Sequence, residues 1–249
     1  MTKDSRKVGC IFCGRGPTTN EHIFPAWASE VLKEDPRGLP LPFRLTLARD
    51  GVETATWEGA KEINYTANCV CRNCNEGWMN EIEERARPFV AQMIRGDRVW
   101  VSRPTQRRVA TWCALKSVMA RYGHSPVNPV ERIWRDYLYQ HRTPPDTWYV
   151  WLTSYHGEKA FHYKGHDVNL SFQQASETGG LETPHGVLAT FIIGYLAFKV
   201  LGIHEGIPTY PGPKEILRIW PVNEGTVEWP TLRTIIDSTL PSFEDMFVK

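Results

Sequence analysis

Two thiol pairs share one spacing: "CIFC", with Cys10 and Cys13, and "CRNC", with Cys71 and Cys74. Four thiolates so arranged make a closed tetrahedral zinc site with no position left for water. The other two cysteines fit such a site badly. Cys69 stands two residues before Cys71, the wrong interval, and Cys113 lies in the helical pattern "QRRVATWCALKSVMARYG", where a free cysteine acts as a small hydrophobe. A structural Zn2+ on Cys10, Cys13, Cys71 and Cys74 is the expectation, although the 57 residues between the pairs exceed what a compact knuckle needs.

Between the pairs, "NEHIFP" sets Glu21 against His22, an acid beside an imidazole. After the second pair, "CNEGWMNEIEERA" reads as the start of a helix, with Trp78, Ile82 and Ala86 at i, i+4 and i+8 as one apolar stripe. Asn75 sits at the amino end of that helix. A zinc that closes residues 10–13 on residues 71–74 carries the Glu21-His22 segment up to Asn75, making a strand-and-helix frame able to hold a second, catalytic ion. The plainer roles are a helix cap for Asn75 and core positions for Trp78 and Met79.

The order of Cys-x-x-Cys, then acid-His with proline three residues on, then Cys-x-x-Cys-Asn opening a helix, resembles the HNH nucleases of the ββα-metal class. Within that class it is most similar to the zinc-stapled subgroup. The resemblance covers about residues 8 to 90 and implies a fold, an activity and residue roles. His22 would be the general base that takes a proton from water. Glu21 would bind a catalytic Mg2+ or Mn2+ on the scissile phosphate, with Asn75 as the second ligand and Asn80 in reserve. The asparagine that orients the His-bearing hairpin would be Asn64 or Asn68, with Asn68 favoured. Three features depart from the pattern: glutamate replaces the commoner aspartate at 21; the Gly-Gly turn after Pro25 gives way to a long insertion from Ala28 to about Ile63; and Asn75 and Asn80 supply only neutral oxygens, so that a single carboxylate would hold the ion.

A net charge of +1 hides an uneven distribution. Residues 85–142 carry twelve Lys and Arg against three Asp and Glu, and eleven of those twelve are arginine, whose planar fork grips phosphate at two points. Trp100, Trp112, Tyr122 and Trp134 are interleaved with them. This pattern suits a nucleic-acid backbone, with Arg103, Arg107 and Arg108 as contacts; the plainer reading is a solvated helical face. The amino terminus "MTKDSRKVGC" has no apolar signal core, which points to a cytoplasmic protein with reduced thiols. The run "GVLATFIIGYLAFKVLGI" is interrupted by Lys199 and glycines and is short for a bilayer, so it reads as buried strands and no membrane partner is expected.

With 249 residues, 41% of them hydrophobic, the chain can bury a substantial core. Pro88 is expected to kink or end the helix after Cys74, leaving "FVAQMIRG" as a short helical piece closed by Gly96. Thr105 is expected to cap a helix running to Gly123, and residues 130–141 form another. From Trp148 onward the pattern turns to strands: "WYVWLT", "AFHYKG" ending at Gly165, "VNLSFQQ", "VLATFIIGYLAFKV" and "ILRIWPV". The fold class is α+β: a zinc-stapled HNH-like module over residues 1–95, then helices and a mostly antiparallel sheet over residues 96–249. The function expected is a metal-dependent HNH endonuclease hydrolysing phosphodiesters in DNA, with RNA also admitted, in phage defence or a mobile element. A protein activator or a homodimer is a further expected partner. The alternative is a non-catalytic zinc-ribbon protein that binds nucleic acid or a partner.

Overall fold

The computed structural model describes residues 9–39, 43–49, 52–60, 63, 65–123, 130–169, 185–203 and 216–246. A turn around Cys10 leads into β1 (Thr18–His22), which pairs antiparallel with β4 (Thr66–Cys71). Between these strands lie α1 (Ala26–Lys33) and a hairpin of β2 (Phe43–Arg49) and β3 (Val52–Ala60), so the insertion has structure of its own. β4 runs directly into a short helix, α2 (Arg72–Cys74), then a π-helical turn (Asn75–Met79), then α3 (Asn80–Arg95). Gly77 leaves helical geometry inside the π turn, with φ −91° and ψ −113°.

α3 does not end at Pro88. It continues to Arg95, and the stripe Ile82, Ala86, Val90, Met93 and Ile94 is buried along it. Pro88 lies on the exposed side, where the one carbonyl it leaves without a donor faces water, and the side-chain amide of Gln92 donates to the Pro88 carbonyl at 2.7 Å. The cost of the proline is small beside the apolar burial on the other face. Gly96 closes the helix in the left-handed region, φ 81°.

β5 (Val99–Val101) leads to α4 (Arg103–Ala120). Its cap is Ser102, whose hydroxyl accepts from the Thr105 N–H at 3.5 Å, so the helix starts earlier than Thr105. Serine with a proline soon after is a start signal, and Thr105 falls in the first turn. From Val109 to Ala120 every residue of α4 is buried. A helix buried all round belongs to the centre of a fold. α5 (Arg132–His141) follows.

The remaining strands are β6 (Trp148–Tyr155), β7 (Phe161–Asn169), β8 (His185–Ile193), β9 (Leu196–Gly202), β10 (Leu217–Trp220), β11 (Val227–Trp229) and β12 (Thr234–Ile235), before α6 (Leu240–Glu244). The main sheet has the order β10-β6-β9-β8-β7, antiparallel throughout, with β12 added parallel to the end of β6. β11 pairs with β5 apart from it. Gly165 does not end its strand: β7 passes through it to Asn169. Residues 170–174 of "VNLSFQQ" lie outside the described residues. β6 and β9 are buried along their whole lengths, as strands covered on both faces must be. One face carries Phe191, Phe198 and Val200 toward the cluster around Trp112, with Trp112 and Phe198 5.7 Å apart. The opposite face packs Ile192 and Ala197 under Leu240 and Phe243.

The architecture is therefore α+β with antiparallel sheets. A single hydrophobic cluster extends from Cys10 to Trp229. Phe24 meets Trp112, Phe161 and Phe191 edge to face, and the Tyr65 hydroxyl donates to the Ala120 carbonyl at 2.6 Å. Among the described residues no helix is long and apolar enough to cross a membrane.

Candidate metal centre

The Cys10–Cys13 turn is built by short-range backbone bonds. The Gly14 N–H donates to the Cys10 carbonyl and the Cys10 N–H to the Arg15 carbonyl, both at 2.8 Å, which needs the left-handed φ of 72° at Gly14. The Ile11 N–H donates to the Cys69 carbonyl at 2.9 Å and joins the turn to β4. That linkage puts Cys10 and Cys13 over the junction of β4 and α2, where Cys71 and Cys74 stand one helical turn apart.

The four sulfurs of Cys10, Cys13, Cys71 and Cys74 lie within 4.8 Å of one another, with Cys13 and Cys71 at 3.6 Å. A tetrahedral ion with metal–sulfur bonds of about 2.3 Å places its sulfurs about 3.8 Å apart, so the cluster has the dimensions of a tetrathiolate site. None of the six cysteines forms a disulfide. Burial pushes the Cys10 thiol up, but N–H groups of Cys13, Cys71 and Phe12 aimed at its sulfur outweigh this and bring it down to about 7. Burial raises the Cys74 thiol, against which the neighbouring Trp78 indole favours the thiolate. Cys69 and Cys113 stay outside the cluster. Burial pushes Cys69 up to about 12 and Cys113 well above its ordinary value, as suits thiols of the core.

β1 and β4 hold the second group of candidates. Glu21 pairs with Ala67 and His22 with Thr66, after an irregularity at which β1 advances two residues while β4 advances three. Such a bulge re-aims the side chains beyond it. Glu21 is half-buried, and one of its carboxylate oxygens accepts from the Asn75 side-chain amide at 2.7 Å. The acid of the strand and the amide that follows the last thiol are thus in contact across 54 positions of sequence. His22, next along the strand, is exposed, and its imidazole has no hydrogen-bond partner among the described residues.

The other sequence candidates are placed as follows. Asn68 is exposed on β4, in the bulged segment opposite Asn20, and Asn64 lies outside the described residues. Asn80 is exposed at the start of α3; the hydrogen bond of Glu21 goes to Asn75. Trp78 and Met79 are buried, and Trp78 stands edge-on to Phe12 at 4.9 Å. Arg103, Arg107 and Arg108 are exposed along one side of α4, and none has a carboxylate partner among the described residues. Of the interleaved aromatics, Trp112 and Trp134 are core residues, while Trp100 is 62% exposed.

Four features gave no local signal in the sequence. Arg72 sits close enough to Glu21 to feel its charge. Arg142 lies over the Trp78 ring at 4.3 Å. Arg135 donates to the Ile11 carbonyl, tying α5 to the thiol turn. Lys116, 1% exposed, pairs with Glu83 between α3 and α4. Each is a contact between distant segments that spacing along the chain does not encode.

Compared with protein-family models, with curated proteins and with solved structures, the chain has no match.

Proposed function

We propose that the protein is a metal-dependent endonuclease of the HNH kind, hydrolysing phosphodiester bonds in DNA. The observation that carries this is the 2.7 Å contact between Glu21 and Asn75, in a strand-strand-helix frame pinned by the four-thiol cluster. In this reading Cys10, Cys13, Cys71 and Cys74 hold a structural Zn2+. Glu21 offers a carboxylate oxygen, and Asn75, whose amide N–H now donates to it, would add its amide oxygen once that amide turns over, giving a hard oxygen site, completed by water and substrate phosphate, that would suit Mg2+ or Mn2+. When bound there, the divalent ion supplies Lewis-acid stabilisation of the phosphate charge.

The chain's own groups do the rest. His22, exposed at the end of β1 and next to Glu21 in sequence, would take the proton of the attacking water. Glu21 and Asn75 are the residues that would hold that ion. Arg103, Arg107 and Arg108 attract the nucleic-acid backbone without a carboxylate to neutralise them. Asn68, exposed on β4, would orient the His22-bearing strand, and Asn80, exposed at the start of α3, is the reserve ligand.

A second reading is favoured by one observation. Among the described residues the His22 imidazole has no partner that would fix its tautomer, as a non-catalytic zinc-ribbon binder would allow. The test is cleavage of plasmid and of oligonucleotides with Mg2+ or Mn2+, comparing wild type with His22→Ala, Glu21→Gln and Asn75→Ala at equal zinc content. His22→Ala should lose about 10²- to 10⁴-fold in rate and keep its affinity for DNA. Wild type that cuts nothing under either metal, or a His22→Ala variant that cuts as fast, would sink the enzymatic reading.

A further inference from the structure

A cleft of ≈ 730 Å³ runs between α3 and α4 beside the candidate metal site. The π turn contributes Trp78 and α3 contributes Ile82 and Arg85; α4 answers with Arg103, Arg107 and Arg108. Arg142 closes one end over the Trp78 ring. The third wall is Trp220, the last residue of β10, with Pro221 and Val222 after it. Five arginines thus face two carboxylates, Glu81 and Asp146, and Glu81 is itself drawn to Arg85 at 3.6 Å. The cleft is strongly cationic.

Its shape decides what the charge is for. A duplex is a convex cylinder with phosphates on its outer ridges, and a concave cleft between two neighbouring helices does not admit it. One extended strand fits. The volume lies in the range of roughly 300–1,000 Å³ that encloses a drug-sized ligand, the scale of one or two nucleotides. Half-exposed Pro221 and Val222 and exposed Pro104 offer apolar surface to base faces, while the arginines line the path of the backbone. Trp78, which lines the cleft, is three residues beyond Asn75 in the same π-helical turn, so the cleft begins close to the Glu21–Asn75 pair without including it.

We propose that this cleft is a track for one unpaired strand of nucleic acid, leading it to the Glu21–Asn75 site. Delivery for cleavage rests on the nuclease reading above; strand binding does not. The test uses the full-length His22→Ala protein without added divalent metal and a fluorescein-labelled oligonucleotide, as single strand and as duplex of equal length, followed by anisotropy over a range of salt. The single strand should bind at least about tenfold more tightly than the duplex. Arg107→Ala/Arg108→Ala should weaken single-strand binding and flatten the plot of log affinity against log salt by about 1.4, at about 0.7 per lost phosphate contact. Arg132→Glu, on exposed α5 surface outside the cleft, should change neither, with the melting temperature of each variant confirming the fold.

Duplex that binds as tightly as the single strand overturns the proposal. So does single-strand affinity that survives Arg103→Glu/Arg107→Glu/Arg108→Glu, or displacement of the strand by free nucleotide at comparable concentration, which would mark a small-anion pocket. Strand binding that depends on the cleft, in a protein whose wild type cuts nothing, would leave the track standing and remove the nuclease reading alone.

Discussion

Lys116 and Glu83 offer the sharpest energetic test of how the two helices of the cleft are joined. The Lys116 side chain is 2% exposed and that of Glu83 15%, and the amine also lies 6.0 Å from the Phe24 ring and 5.8 Å from the Trp112 ring. Glu83→Leu would strand an ammonium group in that apolar setting. Removing one partner of a buried pair costs about 3–5 kcal/mol. For a chain of this size that is a fall of about 6–20 °C in melting temperature. Lys116→Met should cost less, because Glu83 keeps some access to water. The double variant Lys116→Met/Glu83→Leu should recover most of the loss, since a well-packed apolar pair of similar volume is close to neutral. Urea unfolding followed by tryptophan fluorescence measures the cycle. The two single effects should fail to add by about 2 kcal/mol or more. Effects that add to within about 0.5 kcal/mol would mean that the two charges do not stabilise each other and that α3 and α4 are held by apolar contacts alone.

Two more predictions concern the periphery and the thiol cluster. Purified protein should carry about one zinc per chain, and Cys74→Ser or prolonged chelation should lower the melting temperature and the yield of soluble protein; full stability without metal would refute the structural role. At Asp237, burial works to raise the carboxyl, but hydrogen bonds from Lys159, Tyr155 and the Glu158 N–H outweigh it and hold it at about 2, below its ordinary 3.8. That contribution is present above about pH 3.8 and is lost as the pH falls toward 2. Asp237→Asn should therefore cost about 1 kcal/mol at pH 7, allowing for a side chain partly open to solvent, and nothing near pH 2. An equal loss at both pH values would point to packing instead.

The thiol cluster was legible because its signal is local: two identical intervals, a glycine after the first pair and a helix after the second. The approach of Glu21 to Asn75 followed from it, since closing one set of thiols on the other leaves the intervening strand little choice. Elsewhere local rules misled. Pro88 reads as a helix end from its missing N–H, but the buried stripe from Ile82 to Ile94 overrides a single lost bond on the wet side. Gly165 reads as a strand end by composition, yet pairing with Ala189 carries β7 through. Trp112 and Trp134 look like nucleic-acid contacts because arginines surround them in sequence; helical geometry sends the rings inward and the arginines out. Lys116 and Arg142 could not be read at all, since their meaning depends on Glu83 and Trp78, which only the folded chain brings to them.

The turn of Gly194 and Tyr195 between β8 and β9, with Gly194 in the left-handed region at φ 59°, meets the far end of α3. The Tyr195 N–H donates to the Ile94 carbonyl at 2.9 Å, and a methyl group at Gly194 would come within 2.4 Å of the same oxygen. The helix therefore behaves as a strut seated on the sheet at one end, with Asn75 roughly 30 Å away at the other. The π turn at Gly77 is a break in that strut, separating α3 from the short piece that carries Cys71, Cys74 and Asn75. Asn75, which holds Glu21, and the last thiol therefore lie on one side of that break, while the residues that line the cleft, from Trp78 onward, lie on the other.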